Sequence, residues 1–302
     1  MNPGINPKLS IIGVPLDLGA SKRGSSLGPD AIRFAGLKNR LEKIGYQVQD
    51  EGNIPFHAVE TGKDSTNHKN LASVVEANEN LAAKVDEVMK SGRFPLVIGG
   101  DHSIAIGTIK GVLKNVARLG VIWFDAHGDI NTGDTSPSGN IHGMPVASLL
   151  GRGLERLSAI GGSEYKLDKE KIVYIGCRDL DSGERVALKE LGIHVFTMHE
   201  IDLKGIQWVM DKAMEIASKD TDGVHVSFDI DVLDPSHAPG TGTIVPGGLG
   251  YREAHFSLEL VSKNVKLVSA EFVEVNPILD DKNKTAEAAV ALTGSLLGEW
   301  LI

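Results

Sequence analysis

The chain has 302 residues, with 31 Lys and Arg against 40 Asp and Glu, a formal net charge of −9. That balance argues against nonspecific binding to nucleic acid or to acidic membrane surfaces. One cysteine, Cys177, excludes an intramolecular disulfide, residues 1–10 have no apolar signal core, and no later run reaches the roughly 18 to 20 apolar residues of a spanning helix, so a cytoplasmic protein is expected.

In chain order, residues 9–14 have the apolar pattern of a buried strand, followed by a Gly-rich loop over 19–28. A helix opened by Pro29 and Asp30 carries Ala31, Ile32, Ala35, Leu37 and Leu41. Residues 46–50 read as a short strand with a turn at Gly52, and 61–70 as a polar loop. Val74, Val75, Leu81, Val85 and Val88 predict a helix over 71–89. A strand over 94–98, a helix from His102 to about Leu119, a strand over 119–124 and a long loop over 128–143 follow. Next come a helix around 146–150, a loop through Gly161 and Gly162, a strand over 172–175, a helix over 185–191 and a strand at Val195 and Phe196. A helix over 208–216 leads to a strand through Val224, Val226 and Phe228, then to a Pro- and Gly-rich loop over 235–250. A helix through Leu258, a strand over 265–275 and a helix over 284–301 close the chain. Repeated β-then-α units with near-continuous apolar strands predict a parallel sheet covered by helices on both faces. No linker or repeat divides the chain, which reads as one domain over 1–302.

Three of these strands end in acid and imidazole. The strand over 119–124 runs into Asp125, His127 and Asp129, and the Val224 strand into Asp229 and Asp231. The strand over 94–98 passes through Gly99 and Gly100 to Asp101 and His102. Alternate residues of an extended segment share a face, so Asp125 and His127 point together, with Asp129 following if the extension persists. In an open parallel sheet ligands bind beyond the carboxyl ends of the strands, so the three deliveries converge. His102, Asp125, His127, Asp129, Asp229 and Asp231 form an oxygen-rich set, harder than a thiolate site and larger than one catalytic zinc takes. Two divalent ions are expected, Mn²⁺ foremost, roughly 3.5 to 4 Å apart, a pair that makes hydroxide available at neutral pH.

Any one Asp at a strand end is more simply a turn or cap, and that reading stands for Asp101, Asp222 and Asp234. His194 and His225 sit in strand patterns and read as packed, and Cys177 as a small buried residue. The loop leaving the proposed site is rich in hydroxyls and amides, including Asn131, Ser136, Ser138, Asn140 and His142. His142 is the natural proton carrier. Asp181, Glu184 and Glu274 follow other strands and are candidates for holding a cationic substrate.

Five segments carry a family resemblance: GGDHS (99–103), DAHGDIN (125–131), SPSGNIHG (136–143), SFDID (227–231) with DP at 234–235, and VEVNP (273–277). Together they resemble the ureohydrolases and, within them, the arginases of bacterial type. GVPLDLG (13–19) and NKTAE (283–287) extend the resemblance over nearly the whole chain. It implies a three-layer α/β/α fold and a centre with two Mn²⁺ per chain that hydrolyses L-arginine to L-ornithine and urea. By match, one ion takes His102, Asp125, Asp129 and Asp229, and the other His127, Asp125, Asp229 and Asp231. Glu274 would orient the guanidinium, Asp129 hydrogen-bond the hydroxide and His142 relay a proton. Asn131, Ser138 and Ser136 would receive the substrate carboxylate, Asp181, Asn140 and Glu184 surround its amino group, and Thr243 belong to the substrate-side loop. A trimer or hexamer is implied as well.

Val232, Ile244 and Pro246 depart from the family pattern and bear on the loop over 240–248 rather than on the metals. An agmatinase or another guanidino-compound hydrolase would share the metal chemistry but not need Asn131 and Ser138. A noncatalytic arginine-binding protein should have lost ligands, His142 or Glu274, and none is missing; a zinc deacetylase of related fold would keep fewer acidic ligands.

Overall fold

A computed structural model describes residues 4–58 and 70–300; the expected loop over 61–70 lies outside them except for Asn70. Eight described strands form one sheet: β1 (Lys8–Val14), β2 (Gln47–Asn53), β3 (Phe94–Gly99), β4 (Leu119–Phe124), β5 (Ile172–Cys177), β6 (His194–Thr197), β7 (Gly223–Asp229) and β8 (Leu267–Val273). Every pairing is parallel and the order is β2-β1-β3-β8-β7-β4-β5-β6.

Alternation along each strand divides the core into two layers. Phe124, Phe228 and Phe272, on adjacent strands, point to one side, with ring centroids 5.2 and 5.1 Å apart. Val97, Val121, Trp123 and Val273 point to the other, against the helices Leu71–Lys90 and Ala105–Leu113. Fully burying a side chain of this size contributes about 1.5–3 kcal/mol, so helices on both faces are needed to complete the sheet.

The chain folds back at several points where periodicity predicts continuity. The helix opened by Pro29 breaks at Gly36, whose φ of 90° ends Gly28–Phe34 before Leu37–Lys43 begins. The helix at His102 starts as a 3₁₀ turn, His102–Ile104, and its α-helical part stops at Leu113. β2 continues through Gly52 instead of turning there. The short helices Glu155–Ser158 and Met198–Lys204 occupy stretches to which the sequence assigns no element. The last helix ends at Leu296.

Metal-bearing ends come from neighbouring strands. In the sheet, β3, β8, β7, β4 and β5 lie side by side, so the residues after each open onto one rim. Gly100 enables this at β3. A Cβ there would stand 1.6 Å from the Leu16 carbonyl oxygen, which accepts a hydrogen bond from the Asp101 N–H.

Candidate metal centre

The three predicted deliveries do converge. His102 follows the β3 turn, where Asp101 caps the 3₁₀ helix by accepting from the Ser103 N–H. Its Nδ1 lies 3.2 Å from Asp125 Oδ2, 3.0 Å from Asp129 Oδ2 and 3.1 Å from Asp229 Oδ2. Beside this group, His127 Nδ1 lies 3.4 Å from Asp125 Oδ1 and 3.1 Å from Asp231 Oδ2. Asp125 therefore presents one oxygen to each ring and joins the two groups. Asp229 directs Oδ2 to the His102 group, while its Oδ1 accepts from the Asp231 N–H.

Asp129 reaches the cluster by a route that strand alternation does not give. Its φ of 50° turns the chain out of extension, and the carboxylate swings to the His102 side instead of following His127. Asp125 is held from behind by the Trp123 indole N–H and the His127 backbone N–H. The His102 ring stacks on Trp123 at 4.3 Å.

These distances test whether cations fit. An octahedral ion with ligands at about 2.1 Å separates adjacent donor atoms by about 3 Å. His102 Nδ1 is buried and meets its three carboxylate oxygens at that spacing, yet makes a hydrogen bond with none. Donor atoms facing a common point, not one another, are what a metal site requires. The electrostatics agree. Burial, then the Asp231 and Asp125 charges, push the Asp229 carboxyl well above its ordinary range. Burial, then Asp125, raise Asp129 to about 6. Burial disfavours the charged form of His102, but its three carboxylates outweigh this and lift the ring well above the usual histidine range. A cluster with so many buried anions is relieved by cations.

Above the donors a cleft is lined by His127, Asp129, Asn131, Ser136, Ser138, Asn140, His142, Asp181, Glu184, Asp229, Asp231, Thr243 and Glu274, so each of the expected substrate residues reaches it. Glu274, just past β8 and with φ 64°, accepts from the His102 N–H and lies 3.0 Å from His142 Nδ1. Burial opposes charge on His142, but Glu274, then Asp129 and Asp101, raise it to about 9. Asp181 starts the helix Ser182–Leu191 through a capping box with Glu184 and accepts from the Asn131 amide. Burial and the Asp129 charge raise Glu184 to about 8.

The turn and packing assignments divide. Asp234 accepts from Ser236 and Gly247, and Asp222 pairs with Arg118 at the surface. His225 and Cys177 are fully buried. His194 is exposed, because β6 is the sheet edge and turns that side chain to solvent. Val232 is buried against Gly176, and Ile244 is half exposed on the cleft-side loop.

Sequence reasoning passed over the side chains behind the cluster. Ser227 stands 2.8 Å from His102 Nε2, and Arg178 donates to carbonyls of Asp231, Val232, Leu233 and Val245. A polar residue at every second place of the apolar strands β7 and β8 was the available signal for the first. Nothing local marks the second.

A model of the arginase family, described as "Arginase family", matches residues 7–298. The arginase of Brevibacillus brevis is 58% identical over 302 residues, covering 99% of this chain and 100% of that one. The native structure of the Bacillus caldovelox arginase superposes with a TM-score of 0.94 at 55% identity, over 98% of this chain and 99% of that one. The Entamoeba histolytica arginase in complex with L-ornithine has a TM-score of 0.89 at 35% identity, over 97% and 99%. Sheet order, the two donor groups joined by Asp125 and this similarity along both chains agree: the protein belongs to the arginase family.

Proposed function

We propose that the chain hydrolyses L-arginine to L-ornithine and urea at a binuclear centre loaded with two Mn²⁺. The family is one of binuclear metal enzymes, and one observation carries the assignment here: Asp125 offers separate oxygens to two histidine-carboxylate groups at the floor of a polar cleft. His102, Asp129 and Asp229 would complete one ion's set with Asp125, and His127, Asp231 and Asp229 the other's. When bound, such ions supply hydroxide at neutral pH and Lewis acidity.

The remaining work falls to side chains. A guanidinium is a poor electrophile, so fixed placement must supply much of the acceleration. Glu274, buried and fixed by the His102 N–H, would hold the cation by charge without donating a proton to it. His142, on the same carboxylate oxygen, would carry a proton to the departing amine. At the cleft wall, Asn131, Ser136 and Ser138 would bind the α-carboxylate, Asp181, Glu184 and Asn140 the α-amino group, and Thr243 would close the loop side. The Asn131–Asp181 hydrogen bond supports that division, because it ties an acceptor of the amine to a donor for the carboxylate.

Urea release after Mn²⁺ loading, with L-arginine and agmatine compared at equal concentration, tests the assignment. Urea from arginine alone is expected. Urea from agmatine would keep the metal chemistry and overturn the roles of Asn131 and Ser138; none from either would overturn hydrolysis. No helix among the described residues is long and apolar enough to cross a membrane. We also propose a cytoplasmic homo-oligomer. Phe34 is 87% and Ile278 65% exposed, apolar surface that subunit contacts would cover. Light scattering reads the assembly, and a monomer at working concentration would refute it.

A further inference from the structure

A charged residue stands in the middle of the sheet with no role in the chemistry above. Glu271 of β8 is 0% exposed, in the layer that contains Val97 and Trp123. The register sets it beside Ser227, with His225 beside Ser269 one step below and Asp229 beside Val273 one step above. His225, Ser227 and Asp229 share a face, so a polar column rises through an apolar layer and ends at the metal cluster. Burying a carboxylate is costly unless it is paired, and this one is poorly provided for. Oε1 accepts from the Ser227 hydroxyl at 2.7 Å and lies 3.5 Å from His225 Nε2, whereas Oε2 has no hydrogen-bond partner among the described residues. So expensive a group, placed two residues across from a metal-bearing strand end, has a function to find.

The hydrogen-bond order supplies it. Ser227 spends its single proton on Glu271, so at His102 Nε2, 2.8 Å away, its oxygen can only accept. His102 must then carry its proton on Nε2, which leaves a lone pair on Nδ1. That is the atom facing Asp125, Asp129 and Asp229. Burial favours the neutral acid at Glu271, but the His225 imidazole beside it, then the field of His102, hold it below its usual range. Among the described residues nothing equivalent stands behind the other ring, and His127 Nε2 is buried without a hydrogen-bond partner.

We propose that Glu271 is a positioning residue of the metal centre: through the Ser227 hydroxyl it fixes the tautomer and orientation of His102, and so tunes one of the two ion sites and not the other. The inference rests on the reading of His102 as a metal ligand. Groups behind a ligating histidine typically change metal affinity by about 10–100-fold when removed.

Equilibrium dialysis of Mn²⁺ against the full chain separates the possibilities. The parent should bind two ions. Glu271→Gln, nearly isosteric, should keep one at parental affinity and weaken the other about 10–100-fold. Ser227→Ala should weaken the same ion. The double variant should be no worse than Ser227→Ala alone, because the two residues act in series. Parental affinity at both sites, equal weakening of both, or additive losses in the double variant would overturn the inference. Should Glu271→Gln fail to fold, Glu271→Asp keeps the charge but shortens its reach to Ser227. It should still weaken one ion, and two parental affinities would overturn the inference. A parent that bound fewer than two ions would overturn the metal reading itself, an outcome distinguishable from all of these.

Discussion

Glu274 and Asp129 both occupy left-handed backbone, at φ 64° and 50°, which residues other than Gly, Asn and Asp seldom adopt. Each such residue costs about 1–3 kcal/mol, and here the strain places a carboxylate where regular extension would not. The Glu274 N–H is fixed by the Gly100 carbonyl and one of its oxygens by the His102 N–H, so the side chain is aimed before substrate arrives. Glu274→Gln keeps these contacts in shape and loses the charge. It should leave two ions bound, by elemental analysis, while kcat falls about 10²–10³-fold, the scale of removing one transition-state contact. Normal urea release would take Glu274 out of the guanidinium role. The two donor groups predict a second contrast. Asp125→Ala, which removes an oxygen from each group, should bind no more than one ion, and weakly, whereas Asp231→Ala should keep the His102 ion. Equal metal content in the two variants would mean that Asp125 does not join the sites.

At the scale of elements, what holds the rim together is carbonyl capture as much as packing. The Arg178 guanidinium, directly after β5, donates to Asp231, Val232 and Leu233 beyond β7 and to Val245 on the loop that carries Thr243. It thus ties a metal-bearing turn to the substrate-side loop. Lysine cannot reproduce a planar fork serving several acceptors. Arg178→Lys should leave carbonyls without donors, at about 1–3 kcal/mol for each that stays buried, and raise KM for arginine several-fold with the His102 ion unaffected. An unchanged KM and melting temperature would show that the two segments hold their places unaided. No pattern in the sequence announces this clamp, since the carbonyls it ties together lie 53 to 67 residues away. β3, β4 and β7 are another matter. Strands buried on both faces read as near-continuous apolar runs, and each leads within a few residues to a side chain that carries the chemistry. What local pattern missed is what local pattern does not encode. Gly36 breaks a helix where apolar spacing ran on, Glu155–Ser158 is too short to show a 3.6-residue period, and Asp129 leaves the alternation by a backbone turn. Ser227 and Glu271 were visible as polar residues in apolar strands, but their partnership needed the β7–β8 register.

Taken as a whole, the molecule concentrates buried acid on one rim of its sheet. Asp101, Asp125, Asp129, Asp229, Asp231, Glu184 and Glu274 are all buried, and the rings of His102, His127 and His142 stand among them. Packing cannot relieve repulsion among groups that approach because neighbouring strands end there, so part of the folded state's stability must come from the cations those groups hold. Ions that bind the folded chain and not the unfolded one stabilise it by about 2.7 kcal/mol for each site held at a hundred times its dissociation constant. For a chain of this size that corresponds to roughly 4 °C in melting temperature per site. Stripping the metal with a chelator, removing the chelator and comparing melts with and without Mn²⁺ should therefore show a rise on reloading that grows with metal concentration. Mg²⁺, which demands a stricter octahedron and dehydrates reluctantly, should restore less at equal concentration. If the stripped and reloaded proteins melt together, the acids on the rim are reconciled by protonation, and the donor distances of about 3 Å do not describe cation sites.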